Sequence, residues 1–279
     1  MNWSVVFLLA APVAASVLLT GALTYLGLHV IERGVIFVDL ALAQIAVMGA
    51  TVALVLPGAT GHPGTPLVTW VSLGFTLIGA AVFSTALIRT SRIPREAIVG
   101  ICYAVAAAAS ILAMSRAPSE SEHLKEMLVG NILVVSWEQV FKMAWLFAGV
   151  GAFHLVCRKR FLEISVNHGR TETAGLHVRW WDFLFYASLG IIVTSSVSIA
   201  GVLLVFSYLI VPGVAAMLYS DHIGARLAIG WTMGTMVSVV GVYLSVKLDL
   251  PTGGTMVCTF GVALLLMALA RPFVPWRRA

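Results

Sequence analysis

Residues 182–211, DFLFYASLGIIVTSSVSIAGVLLVFSYLIV, decide how many times this chain crosses a membrane. The stretch is almost wholly apolar. A helix needs about 20 apolar residues to cross a hydrocarbon core roughly 30 Å thick. The stretch therefore reads either as one long helix or as two crossings broken near Ser195–Gly201. The choice sets the parity of every crossing that follows.

Outward from this stretch, the chain keeps the same character. Hydrophobic residues make up 60 % and charged residues 10 % of the 279, and mean hydropathy is +0.99. Soluble domains carry about 25 % charged residues, so a soluble fold would lack a polar surface. Apolar spans fall at about 5–28, 35–56, 68–88, 97–115, 139–157, 182–198, 199–211, 226–246 and 254–271. They predict an all-α polytopic membrane protein with 1–279 as a single transmembrane domain and eight or nine crossings. The N-terminal stretch resembles a signal peptide but has no basic residue ahead of its apolar run, so it reads as the first transmembrane helix.

Basic residues orient this map. Arg89, Arg92 and Arg95 cluster in one loop, and Arg158, Lys159, Arg160, Arg170 and Arg179 in another. Arg271, Arg277 and Arg278 form the tail. Lys and Arg concentrate in cytoplasmic loops. All three clusters share that side only if 182–211 crosses twice. The broken reading follows: nine crossings, N-terminus outside, C-terminus in the cytoplasm. The net charge of +5 then belongs to the membrane-facing loops, not to a nucleic-acid partner. Cys102, Cys157 and Cys258 lack metal-finger spacing and read as packing residues. Gly230, Gly234 and Gly241 recur along one helix, a spacing that lets helices approach closely.

The chain has no G-x-x-x-x-G-K-S/T phosphate loop, no H-E-x-x-H and no G-x-S-x-G, so it reads as a non-enzyme with no ATP site of its own. Its seven histidines do not pair at metal-ligand spacing. Three segments carry the functional signal. In GLHVIERGVIFVDLALAQIAVMG (27–49), Asp39 and Gln44 interrupt an apolar helix pattern. A carboxylate inside a span costs roughly 2.5–3.5 kcal/mol on insertion scales and marks a path for something polar. On this map Asp39 is the one carboxylate deep within a span. The stretch MLVGNILVVSWEQ (127–139) is amphiphilic and lies outside; Glu120, Glu122, His123 and Glu126 just before it read as a solvated loop or a cation-attracting one. In GVLLVFSYLIVPGVAAMLYSDHIGAR (201–226), an apolar leg ends at Pro212 and runs into a short, small-residue helix. That helix ends too polar to span, at Ser220, Asp221 and His222. It is either a lever that docks on a partner or an ordinary interfacial turn.

Together these residues resemble the permease subunit of the metal-ion class of ABC importers, which serve zinc, manganese or iron. The matching positions are Gly27, Val30 and Arg33; an L-F/V-G-N-I-L segment at Leu128–Leu133; and Gly201, Leu203, Leu204, Val205, Leu209, Pro212 and Ala216. Pro251–Gly253 fits a late P-x-G segment. The resemblance covers about residues 20–270. More remotely, the chain is similar to cobalamin and siderophore importer permeases, which implies a type II importer arrangement in a bacterial plasma (inner) membrane.

The resemblance implies roles. Residues 213–225 would be a cytoplasmic coupling helix seated on an ATPase subunit, with Pro212, Gly213, Ala215, Ala216, Tyr219, Ser220 and Asp221 at the coupling site. Residues 116–138 would be the extracytoplasmic gating segment, with its helix at 127–138. Asp39, Gln44 and Asn131 would line the pathway or gate, and Asp39 would touch the metal. Two permease copies, two ATPases holding ATP and Mg, and a solute-binding protein would complete the importer.

One departure stands out. The family carries D-x-x-x-H in its second span, whose His position is here Gln44 and whose Asp position is Leu40. Residues 39 and 44 lie about 140° apart on a regular helix. Either a local bulge lets Asp39 replace the pair, or this branch handles its substrate differently. Three readings follow: a divalent-metal importer permease, with zinc or manganese as cargo; the same architecture carrying a metal chelate or other small solute; and an ATP-independent transporter or intramembrane enzyme.

Overall fold

The computed structural model describes residues 3–55, 65–89, 93–115, 130, 132–166 and 176–273. Among these the chain is helical: α1 (Trp3–Glu32), α2 (Val38–Val55), α3 (Pro66–Arg89), α4 (Arg95–Met114), α5 (Trp137–Val156), α6 (Arg158–Val166), α7 (Leu176–Ala200), α8 (Val202–Met217), α9 (Ile223–Leu248) and α10 (Thr252–Ala270). Eight are long and apolar enough to cross a membrane, and α8 is a shorter apolar helix. The expected all-α polytopic fold is borne out. Contacts gather into two compact units: Met1–Ile31, Val129–Ala148 and Ile199–Ala279 form the first, Glu32–Leu128 and Gly149–Ser198 the second.

Local chemistry explains the boundaries. The 182–211 stretch does break, at one residue. Gly201 has φ 78° and ψ 160°, a conformation essentially reserved for glycine, and α8 starts at the next residue. At the start of α5, Ser136 and Gln139 form a reciprocal capping box: the Ser136 N–H donates to Gln139 Oε1 at 2.9 Å, and the Gln139 N–H to Ser136 Oγ at 3.3 Å. The α9–α10 hairpin turns through Asp249 in the left-handed region (φ 52°) and restarts at Pro251. Ser245 Oγ lies 2.9 Å from Thr252 Oγ1 and donates to the Leu250 carbonyl at 2.8 Å, tying the two arms together.

The first unit packs α8 tightly. A Cβ on Gly27 would run into the Leu209 carbonyl, so α1 and α8 touch backbone to backbone. Gly230 and Gly234 of α9 leave room for Thr24, Thr20 and Pro212. The Tyr208 hydroxyl and Ser238 Oγ, 2.8 Å apart, add a buried polar link between α8 and α9. In the second unit, α2 packs against α3 and α4. Ser72 Oγ donates to the Ala46 carbonyl at 2.7 Å, and Gly49 makes room for Phe75.

One expectation needs correction. Residues 213–225 are not a separate helix, and Pro212 does not end the apolar leg. α8 continues through Pro212 to Met217, residues 218–222 form a turn, and α9 starts at Ile223. A proline removes one backbone donor. In a membrane, however, no water waits to take the freed carbonyl, so the chain gains little by unwinding. Neighbouring small residues accommodate the ring instead, Gly234 lying against Pro212 Cγ.

Candidate transport site

Asp39 sits in the first turn of α2 and Gln44 one and a half turns on. α2 is regular from Val38 to Val55, so the bulge that would bring the two onto one face is absent from it. Both are nonetheless buried, at 1 % and 3 % exposure, because α2 is covered on most sides. Asp39 Oδ1 is buried without a hydrogen-bond partner among the described residues.

The approach to α2 is built by charged side chains. Gly34, at φ 66°, turns the chain from α1 toward α2. Glu96, in the first turn of α4, accepts the Ile36 N–H on Oε1 at 2.5 Å, and its Oε2 is buried without a partner among the described residues. Arg33 is held inside the unit: Nη1 donates to Asp182 Oδ1 at 2.5 Å, Nε to Ser165 Oγ at 3.0 Å, and the guanidinium lies 3.9 Å over the Phe185 ring. The Arg33 and Asp182 side chains are 0 % and 2 % exposed. This network joins the α1–α2 connection to α6 and α7.

Asp39 is therefore not the one deep carboxylate expected: it lies in the first turn of α2, as Glu96 lies in the first turn of α4, and the buried Asp182 stands six residues into α7.

The expected coupling residues divide. Pro212, Gly213, Ala215 and Ala216 are buried inside the first unit and present no docking surface. Tyr219 and Ser220 are half-buried, whereas Asp221–Gly224 is exposed. The turn is braced: Arg226 Nε donates to the Ser220 carbonyl at 2.7 Å and Nη2 lies 3.4 Å from Asp221 Oδ1. From α10, the Met267 carbonyl accepts the Tyr219 hydroxyl at 2.5 Å. Just beyond it, Arg271 Nε donates to the Leu218 carbonyl at 3.0 Å. Asn131 and most of the 116–138 segment lie outside the described residues. Gly130, at φ 65°, lies directly on the Ala200–Gly201 backbone, where any Cβ would clash.

The chain is thus polytopic and helical, with buried acids at Asp39 and Asp182. The profile of the ABC 3 transport family matches residues 5–271, and the chain belongs to that family. It is 28 % identical over 178 residues to the "Probable iron transport system membrane protein" of Haemophilus influenzae, 64 % of this chain and 62 % of that one. Over 220 residues it is 27 % identical to the manganese transport system membrane protein MntC of Listeria innocua, 76 % of this chain and 77 % of that one. Over 205 residues it is 27 % identical to the chelated iron transport system membrane protein YfeC of Yersinia pestis, 73 % and 69 %. The fold is similar to PsaBC from Streptococcus pneumoniae in complex with Fab, with TM-score 0.76 and 22 % identity, covering 93 % of this chain and 90 % of that one. It is also similar to the structure described as "An inward-facing conformation of a putative metal-chelate type ABC transporter", with TM-score 0.69 and 15 % identity, covering 93 % of this chain and 85 % of that one.

Proposed function

We propose that this chain is the membrane subunit of an ATP-driven importer carrying a divalent transition metal, with manganese or ferrous iron as cargo. Membership of the ABC 3 transport family carries the reading. The donor chemistry supports the choice of metal. Asp39 and Gln44 offer oxygen on α2 where the family motif has an imidazole. Carboxylate and carbonyl oxygens suit manganese, whereas zinc takes nitrogen and sulfur readily. The relatives named for manganese and iron transport point the same way.

In this reading two ATPase subunits bind ATP and Mg and push on the exposed Asp221–Gly224 turn of each of two permease copies. A solute-binding protein loads the ion from outside, with the 116–138 segment and Asn131 at the outer gate. The basic clusters and the turn face the cytoplasm of a bacterial inner membrane, and the N-terminus faces outward. Binding along the path stays weak enough to release the ion. A second reading, metal-chelate cargo, is favoured by Gln44 in the imidazole position.

The test is uptake by cells or vesicles expressing the permease with its ATPase and binding protein. The expected result is ATP-dependent entry of radioactive manganese or iron that falls at least about tenfold in Asp39→Ala, as for loss of a functional intramembrane charge. Entry without ATP, or entry of a siderophore-bound metal only, sinks the ion-importer reading.

A further inference from the structure

Glu96 lies outside the motifs on which the transport reading rests, yet its carboxylate has two sides. One oxygen, Oε1, accepts the Ile36 N–H at 2.5 Å, and the other, Oε2, is buried and unpartnered among the described residues. The Asp39 carboxylate faces the same dilemma: 1 % exposed, with Oδ1 buried and unpartnered. The backbone N–H that Glu96 accepts belongs to Ile36, three residues before Asp39, and the two acids stand in the first turns of helices α2 and α4, which pack together. Arg33 is bound to Asp182, and neither Asp39 nor Glu96 has an ion-pair partner among the described residues.

Two carboxylates cannot both stay ionised in such a place without a countercharge. Among the described residues no cationic side chain is paired with either acid to supply one. A single divalent cation does so with exact charge balance, two negative charges against two positive. A monovalent cation leaves a net charge buried. An all-oxygen pair also selects for hard ions over zinc.

We propose that Asp39 and Glu96 together form an ion-binding step for an oxygen-preferring divalent cation, with Glu96 as the ligand supplied by α4. The proposal rests on the importer reading above. Two protein oxygens leave the remaining positions of the ion to water, which keeps the hold loose enough for passage. The Ile36 N–H holds the Glu96 carboxylate in place while its second oxygen stays available.

The test uses the purified permease–ATPase complex with Mn2+ as the probe, read by the electron paramagnetic resonance of the ion, alongside manganese uptake in cells. Glu96→Gln keeps a carbonyl oxygen for the Ile36 N–H but removes the charge, and Asp39→Asn does the same for its partner. Each is expected to weaken Mn2+ binding and to lower uptake by on the order of tenfold or more, with Glu96→Asp recovering part of both. Wild-type binding in Glu96→Gln overturns the proposal even if uptake falls, because Glu96 is then only a strut for the start of α2. A wild-type complex that binds no Mn2+ also overturns it. A wild type that binds Mn2+ through both acids but imports none overturns the importer reading and leaves the ion site standing.

Discussion

At the residue scale, Arg33 and Asp182 set the terms for the second unit. A buried ion pair stabilises weakly as a pair, but removing one partner strands a charge and costs about 3–5 kcal/mol. Asp182→Ala is therefore expected to lower the thermal midpoint of the detergent-solubilised protein and its yield in membranes. Arg33→Lys is not expected to rescue the fold. Lysine cannot reach Ser165 and Asp182 at once while lying flat on Phe185, as the Arg33 guanidinium does. If Arg33→Lys melts like the wild type, the fork geometry is not what the unit relies on. His154 is a contrasting case. It is stacked on Phe161 at 4.5 Å and 2.7 Å from Ser188 Oγ, a buried packing histidine at the end of α5.

At the element scale, the glycines at the α7–α8 break are the sharpest targets. Gly201→Ala forces a side chain into a glycine-only conformation and is expected to cost about 1–3 kcal/mol. Gly130→Ala drives a Cβ into the Ala200–Gly201 backbone and should be at least as damaging. Gly21, inside α1 with nothing near its missing Cβ, is the control: Gly21→Ala should be neutral or stabilise by about 0.5–1 kcal/mol. Equal melting of all three variants would refute the distinction.

The helices were legible in sequence because a membrane span announces itself by length and composition. The Gly201 break was legible because a thirty-residue apolar run exceeds one crossing. The fate of Pro212 was not, because proline ends helices in water but is tolerated where neighbouring helices shield the backbone. Glu96 and Asp182 were missed for a related reason. A charge near the edge of an apolar run reads as the end of the span, whereas α4 starts one residue ahead of Glu96 and α7 six residues ahead of Asp182. Arg33 was visible as a motif residue, but its partners lie 132 and 149 residues away, beyond any local pattern.

At the scale of the whole molecule, the crossing number makes a direct prediction. α9 separates the 218–222 turn from Asp249 and is long enough to span. In a background lacking the native cysteines, His222→Cys and Asp249→Cys are expected to react with an impermeant thiol reagent from opposite faces, His222→Cys from the cytoplasm. Labelling of both from one face would refute the nine-crossing map.

The shortness of α8 has one more consequence. Its 16 residues reach about 24 Å at 1.5 Å each, against a hydrocarbon core of about 30 Å. The missing depth, roughly one helical turn, is capped at the Gly201 end by Gly130, and the turn Ile132–Val134 that follows Gly130 packs on α10. Non-helical backbone is tolerated at that depth only while protein covers it. Gly130 thus supplies protein cover at the end of a helix that is too short, and only a residue without a side chain lies close enough to do so.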